Sequence, residues 1–312
     1  MKIVYMGTPE FAVPALEKMC ENGYRAELVV TQPDKARDRG KKIQFPPVKE
    51  KALALGIEVI QPESIRGNEV FLARIKEIAP DLIVVAAYGK LLPVELLKLP
   101  RLGCVNIHAS LLPKFRGAAP IHRSIIAGEK NTGVTLMYME EGLDTGDMIA
   151  SRSTEIGKKT TAELHDELAA MGADLLVETL PLIEKGTCSR TKQDESKATY
   201  APMIFKKDGL VDFSRTPEEI ERLIRGLNSW PGAYTTYRGE PMKLWTAEAV
   251  DETADKPDGT IMEVSSRGIK VAAGGRTLLL KKIQMPGKKA MDVFEFLKGN
   301  KITAGEVLGS DK

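Results

Sequence analysis

The stretch Ile3-Val4-Tyr5-Met6-Gly7-Thr8-Pro9 decides the fold. An apolar, β-branched run stops at a glycine, an amphipathic segment follows over 9–22, and a second apolar run occupies 26–31. Strand, helix and strand in that order is the βαβ unit of a parallel sheet. The alternation continues, with strands expected at 58–60, 82–87, 104–108, 134–139 and 148–155 and helices at 48–55, 68–78, 119–127 and 161–184. In the last helix Leu164, Leu168, Met171, Leu175 and Leu176 recur at helical spacing, a core-facing stripe without chemical meaning. Gly7 stands alone where a dinucleotide fingerprint needs three glycines, which disfavours NAD and leaves it the role of a tight strand-to-helix turn.

The 312 residues exceed one ordinary domain, and two are expected. Hydrophobic residues at 43% and charged residues at 28% exclude a disordered or fibrous chain. A formal net charge of +2 excludes a generally basic nucleic-acid binder, so any polyanion site must be local. Cys20, Cys104 and Cys188 have neither a disulfide pattern nor zinc-ligand spacing. No apolar run has the form of a signal peptide or a membrane span, and a cytoplasmic location is expected. The Lys-, Ser- and Thr-rich segment 189–208 reads as a linker between domains at 1–188 and 209–312. The second domain opens with Thr216-Pro217-Glu218-Glu219, which is helix-entry chemistry. Short strands expected at 233–237, 242–249, 259–264, 268–273 and 277–284 point to a small barrel or sandwich, of which an oligonucleotide-binding barrel is one kind.

Chemistry concentrates in Val105-Asn106-Ile107-His108-Ala109-Ser110-Leu111-Leu112-Pro113. Asn106 and His108, two residues apart on a strand, project from one face about 6.6 Å apart and could flank a carbonyl. A carboxamide donates without titrating, and an imidazole moves a proton near neutral pH. The opposing reading makes them a turn-former and a satisfied strand-end histidine. Polar residues on an apolar strand need a reason, however, and open α/β sheets bind ligands at the carboxyl ends of their strands. Asp144, in Glu141-Gly142-Leu143-Asp144-Thr145-Gly146-Asp147, is the carboxylate expected to orient His108, with Asp147 the competitor. The single Asp144-Thr145-Gly146 cannot supply an aspartic-protease dyad. Cys104 lies about 13 Å along the strand from His108, which argues for packing rather than a thiol nucleophile.

Asn106, His108 and Asp144, together with Ser110-Leu111-Leu112-Pro113 and Arg116-Gly117, resemble the folate-dependent formyltransferases. Gly7-Thr8-Pro9-Glu10-Phe11, Arg39-Gly40-Lys41-Lys42, Asp194-Glu195-Ser196-Lys197-Ala198-Thr199-Tyr200 and Asn228-Ser229-Trp230-Pro231-Gly232-Ala233 look like the branch that acts on tRNA, so the resemblance spans nearly the whole chain. It implies an α/β protein with a Rossmann-like, mostly parallel catalytic sheet and a smaller carboxyl-terminal OB-like β-barrel that binds tRNA. It also implies transfer of formyl from 10-formyltetrahydrofolate to the α-amine of initiator methionyl-tRNA, without a metal. Asn106, His108 and Asp144 would be catalytic. Ser110, Leu111, Leu112 and Pro113 would bind the folate, the three apolar residues as a wall for the pterin. Arg116 receives no role.

Two segments are locally basic. Residues 31–51 hold seven Lys and Arg against three acids, and residues 270–301 hold eight against two. Isolated charge runs are usually solvated surface, but two of them on either side of the site motif suggest a bipartite RNA surface. The resemblance assigns the acceptor end of the tRNA to the first, through Arg39, Lys41 and Lys42. Two other readings stay open: formylation of a small amine such as an amino-sugar nucleotide, and a non-catalytic RNA-binding protein.

Overall fold

The computed structural model of the chain describes residues 1–37 and 42–309. These divide into two compact units, one holding Met1–Pro120, Asn131–Glu155 and His165–Pro202, the other Ile121–Lys130, Ile156–Leu164 and Met203–Lys312. The elements run β1 (Ile3–Gly7), α1 (Val13–Glu21), β2 (Ala26–Val30), β3 (Lys35–Arg37), β4 (Lys42–Gln44), α2 (Pro47–Ala54), β5 (Val59–Ile60), α3 (Glu69–Ile78), β6 (Leu82–Ala86), α4 (Val94–Leu97) and β7 (Cys104–His108). They continue as α5 (Pro120–Ala127), β8 (Asn131–Tyr138), β9 (Met148–Glu155) and α6 (Thr161–Glu184).

The first unit is built on a seven-stranded sheet in the order β5-β2-β1-β6-β7-β8-β9. Its first five members are parallel, while β8 and β9 run antiparallel. This is the doubly wound arrangement the sequence implied, with the order reversing between β1 and β6. Every residue of β1 and β6 is buried, as parallel strands covered on both faces require. On one face Val4, Met6, Ile83, Val85 and Cys104 pack with Phe71 and Ile75 of α3 and Leu96 of α4. On the other lies α6, whose Gly172 sits so close to β7 that an added Cβ would stand 2.7 Å from Ile107 Cγ2. Strands β3 and β4 pair antiparallel with each other, apart from this sheet.

At the amino-terminal edge of the sheet, Asp81 ties β1 to β6. Its carboxylate accepts from the Lys2 amide at 2.7 Å and from Arg101 Nε at 2.6 Å.

The second unit contains α7 (Pro217–Gly226), β10 (Ala233–Tyr237), β11 (Glu240–Thr253), β12 (Ile261–Ser265), β13 (Gly268–Ala273), β14 (Arg276–Gln284), β15 (Met291–Asp292) and α8 (Val293–Leu297). Thr216 and Glu219 close a capping box at the start of α7, as the helix-entry motif suggested. The strands form one antiparallel sheet, β10-β11-β14-β13-β12, with β15 against β14. The pairings thus establish an antiparallel β domain, and closure into an OB-like barrel is not among them. Helix α5 and the first turn of α6, which the sequence placed with the catalytic domain, belong with this unit. The packing shows why: an added Cβ on Gly226 of α7 would stand 2.6 Å from Ile126, and Thr161 Oγ1 donates to the Gly226 carbonyl at 2.6 Å.

Two stability measurements check this packing. Gly172→Val overfills the α6–β7 contact and should cost about 1–3 kcal/mol, read as a lower melting temperature. The hydrogen bond from the Lys2 amide, then Arg101, holds the Asp81 carboxyl below the usual carboxylate range. A depressed folded pKa stabilises above the unfolded value of about 3.9 and stops doing so as pH falls through the folded one. Asp81→Asn should therefore melt below wild type at pH 7, and the gap should close below about pH 4. A gap that widens in acid would contradict the pairing.

Candidate active site

Strand β7 lies where the sheet turns from parallel to antiparallel pairing, and its last residues deliver the polar side chains. Asn106 is half-buried between Val85 of β6 and Met137 of β8, and its carboxamide has no hydrogen-bond partner among the described residues. His108 is 6% exposed and sits opposite Thr135. Its Nε2 lies 2.9 Å from the Phe115 carbonyl, which can only accept, so that nitrogen carries a proton. Its Nδ1 faces Asp144 Oδ2 at 3.6 Å, an electrostatic contact longer than a hydrogen bond. The imidazole is therefore oriented by a backbone carbonyl, with the Asp144 carboxylate facing its other nitrogen.

The same Oδ2 of Asp144 accepts from the Gly117 amide at 2.8 Å. Its backbone is left-handed, with φ of 52°, a conformation that Asp tolerates better than most residues. Gly146 lets the loop close, since a Cβ there would lie 1.9 Å from the Tyr138 carbonyl. The competing Asp147 turns to Arg190 at 3.4 Å. Of the two carboxylates, only Asp144 is found against His108. Cys104 packs with its thiol toward the Leu96 carbonyl, and burial pushes that thiol up to about 12, which removes it as a nucleophile.

The loop after β7 is locked from within. Thr135 Oγ1 donates to the Ser110 carbonyl at 2.7 Å and accepts from the Leu112 amide at 3.2 Å, while the Ser110 hydroxyl donates to the Lys114 carbonyl at 2.6 Å. Ser110 is fully buried and Leu112 nearly so, whereas Leu111 and Pro113 remain partly accessible. Phe115, with φ of 60°, aims its carbonyl at His108.

Three participants escaped the sequence reading. Arg116 is 1% exposed and donates to Gln193 Oε1 and to both oxygens of Glu195. Gln193 in turn donates to the carbonyls of Asp144 and Gly146. Thr199 accepts from the Phe115 amide through its hydroxyl and from the Arg116 amide through its carbonyl. The motif 194–200 was the available signal, but pairing across some 80 residues cannot be read along a chain. A cavity of about 460 Å³ was missed as well. It has Phe71, Leu72, Leu91, Leu92 and Leu96 among its lining, with Arg66 and Glu141, the latter from the loop that carries Asp144. Among the described residues no three His, Cys, Asp or Glu gather as metal ligands.

The basic segments look different in three dimensions. Arg39 and Lys41 lie outside the described residues, and Lys42 is placed by its backbone, opposite Arg37. Lys49 is bound by Asp34 at 2.7 Å and Gln61 at 2.7 Å, and Lys51 by Glu17 at 2.8 Å. In the second segment Lys270 meets Glu252 and Glu263, Lys281 meets Glu248, Lys298 meets Glu295, and Arg276 meets Glu218 and Asp251. Lys282, Lys288, Lys289 and Lys301 have no ion-pair partner among the described residues.

Comparison with known proteins gives this geometry a family. Residues 1–180 match the family model described as formyl transferase, and residues 203–301 the one described as formyl transferase, C-terminal domain. The methionyl-tRNA formyltransferase of Clostridioides difficile (strain 630) is 52% identical over 310 residues, covering 99% of this chain and 100% of that protein. That of Bacillus subtilis (strain 168) is 49% identical, covering 99% and 98%. Among solved structures, the sugar 3N-formyl transferase WlaRD, determined in the presence of dTDP and 5-N-formyl-THF, shares the fold at a TM-score of 0.68 and 19% identity, covering 93% of this chain and 99% of its own. Matches to both domains of one family, and half identity over essentially the full length, lead to one conclusion: this chain belongs to the formyl transferase family.

Proposed function

We propose that this protein transfers the formyl group of 10-formyltetrahydrofolate to the α-amine of initiator methionyl-tRNA. The observation that carries the reading is the convergence of His108 and Asp144 at the end of the strand that also presents an uncommitted Asn106 carboxamide. The full-length relatives, all named for this reaction, supply the acceptor.

The chemistry follows from the side chains. The ester-linked methionine has an α-amine that is partly neutral near pH 7, so the nucleophile needs little activation. Its nitrogen bonds to the formyl carbon, and the carbonyl electron pair moves onto oxygen. Asn106 supplies a hydrogen bond to that oxyanion where it forms. Collapse breaks the bond from carbon to N10, which leaves with a proton, while the attacking nitrogen gives one up. His108 is the group within reach to relay it, and the Asp144 carboxylate stabilises the imidazolium in passing. The cavity that includes Glu141 of the Asp144 loop has Phe71, Leu92 and Leu96 in its lining, an apolar surface suited to a flat pterin, and we assign the partly accessible Leu111 and Pro113 to the same ligand. Ser110 and Leu112 serve it indirectly, by fixing the loop.

We assign the catalytic role to the residues of 1–188 and tRNA binding to 209–312 together with the basic segment 31–51. Arg39, Lys41 and Lys42 are the acceptor-end contacts, and the unpaired Lys282, Lys288, Lys289 and Lys301 are the remaining cations of the carboxyl-terminal segment. Such substrates imply a cytoplasmic location.

Incubating the enzyme with 10-formyltetrahydrofolate and charged initiator or elongator tRNA should yield formylmethionine on the initiator, and a lack of product would reject the reading. Formylation of an amino-sugar nucleotide instead would move the protein to small-amine transfer. His108→Ala should lower kcat by roughly 10²–10⁴-fold, and Asp144→Asn, which keeps an acceptor for the Gly117 amide, should also lose kcat while remaining folded. Lys41→Ala and Lys42→Ala should each weaken tRNA binding and flatten its dependence on log salt by about 0.7 to 0.9 for every phosphate no longer neutralised. Titrations with the wild-type slope would remove those lysines from the interface.

A further inference from the structure

His108 and Asp144 are kept apart at a fixed spacing by two loops, neither of which is regular structure. One, 113–117, supplies the Phe115 carbonyl to the imidazole and the Gly117 amide to the carboxylate. The other, 142–146, carries Asp144 itself in a left-handed conformation. Something outside both must hold them, because a residue at positive φ persists only where its surroundings determine it.

A single carboxamide spans the gap. Gln193 Nε2 donates to the carbonyls of Asp144 and Gly146, both at 2.8 Å, and its Oε1 accepts from Arg116 Nε at 3.1 Å and Nη2 at 2.8 Å. Two donors and two lone pairs are the whole capacity of the group, and all are used. The guanidinium of Arg116 is itself clamped, its Nη1 and Nη2 donating to Glu195 at 2.9 and 2.6 Å. The stretch of chain that carries Gln193 is stitched down on either side. Thr191 exchanges hydrogen bonds with Met148 of β9 at 2.8 and 2.9 Å, and Thr199 and Ala201 pair with Arg116 at 2.8 and 2.7 Å.

We propose that Gln193 is a positioning residue of the formyl transfer: it sets the loop bearing Asp144 against the loop bearing Phe115 and Gly117, and so sets the carboxylate against the imidazole. Arg116 and Glu195 prevent its carboxamide from rotating. This rests on the reading of His108 and Asp144 as the reacting pair. Gln is required because the position faces two carbonyls on one side and a guanidinium on the other. Glu would keep the acceptor for Arg116 but offer lone pairs to both carbonyls, and Leu would keep the bulk and lose both sides.

The test compares wild type, Gln193→Leu, Gln193→Glu and His108→Ala in steady-state transfer to charged initiator tRNA, with the folded fraction of each measured by circular dichroism and melting. Both Gln193 variants should lose kcat per folded molecule on the order of 10- to 100-fold, with KM for folate and for tRNA within about twofold of wild type. The imidazole nitrogen resonances of His108 should shift in each. If Gln193→Leu does not fold, Gln193→Glu, which keeps the Arg116 contact, decides alone. A kcat per folded molecule within about twofold of wild type, with only the melting temperature lowered, would overturn the positioning role provided His108→Ala is inactive. Were His108→Ala itself active, the reading of the site would fail, and with it the premise of this proposal.

Discussion

The imidazole of His108 donates its Nε2–H to the carbonyl of Phe115, and the local structure can be traced from that one hydrogen bond. For the carbonyl to point back at the end of β7, Phe115 must take a left-handed backbone conformation, and the chain must reverse within seven residues of the histidine. The reversal is held by Thr135, which faces His108 from β8 and bonds the Ser110 carbonyl and the Leu112 amide. Two residues past Phe115, the Gly117 amide meets the Asp144 carboxylate. A strand end thereby becomes a site with a fixed proton on one nitrogen of the ring and an anion facing the other.

The legible part of this arrangement is the part governed by short-range pattern. Alternation along 104–108 placed Asn106 and His108 on one face, and the segment 141–147 stood out as the source of the carboxylate. What sequence could not show was why Asp144, rather than Asp147, takes the place beside His108. The choice depends on Arg190 drawing Asp147 away and on the Gly117 amide anchoring Asp144, neither visible from local spacing. Arg116 was illegible for the opposite reason: an arginine beside a glycine in a loop looks like a surface cation, and only the distant Gln193 and Glu195 explain how it can be buried.

Charge was the least transferable reading. Counting along 270–301 gives a strongly basic run, yet on a sheet the nearest neighbours of a residue are across the strands. Glu263 stands directly opposite Lys270, and Glu248 on β11 reaches Lys281 on β14. The acids that neutralise the run come largely from outside it. The packing of α5 is equally nonlocal. Helix α5 lies between segments of the first unit in sequence, but it has close neighbours in space on α7, because Gly226 leaves room for Ile126. Such a partnership is written in the partner's residues, not in the helix.

The division of labour in the site follows from what the reaction demands. An amine that is already a competent nucleophile needs no strong base, so the protein's contribution lies in placing donors before charge develops. Placement is a matter of loops, and loops are the least rigid part of a fold. The chain resolves that tension by placing His108 at a buried strand end and Asp144 in one tight turn, then tying both to the segment 191–201. Polar groups buried in that tie each have a counterpart, which makes the arrangement stiff as well as costly to disturb. A site assembled in this way reads weakly in any one stretch of sequence, because its geometry belongs to four stretches at once.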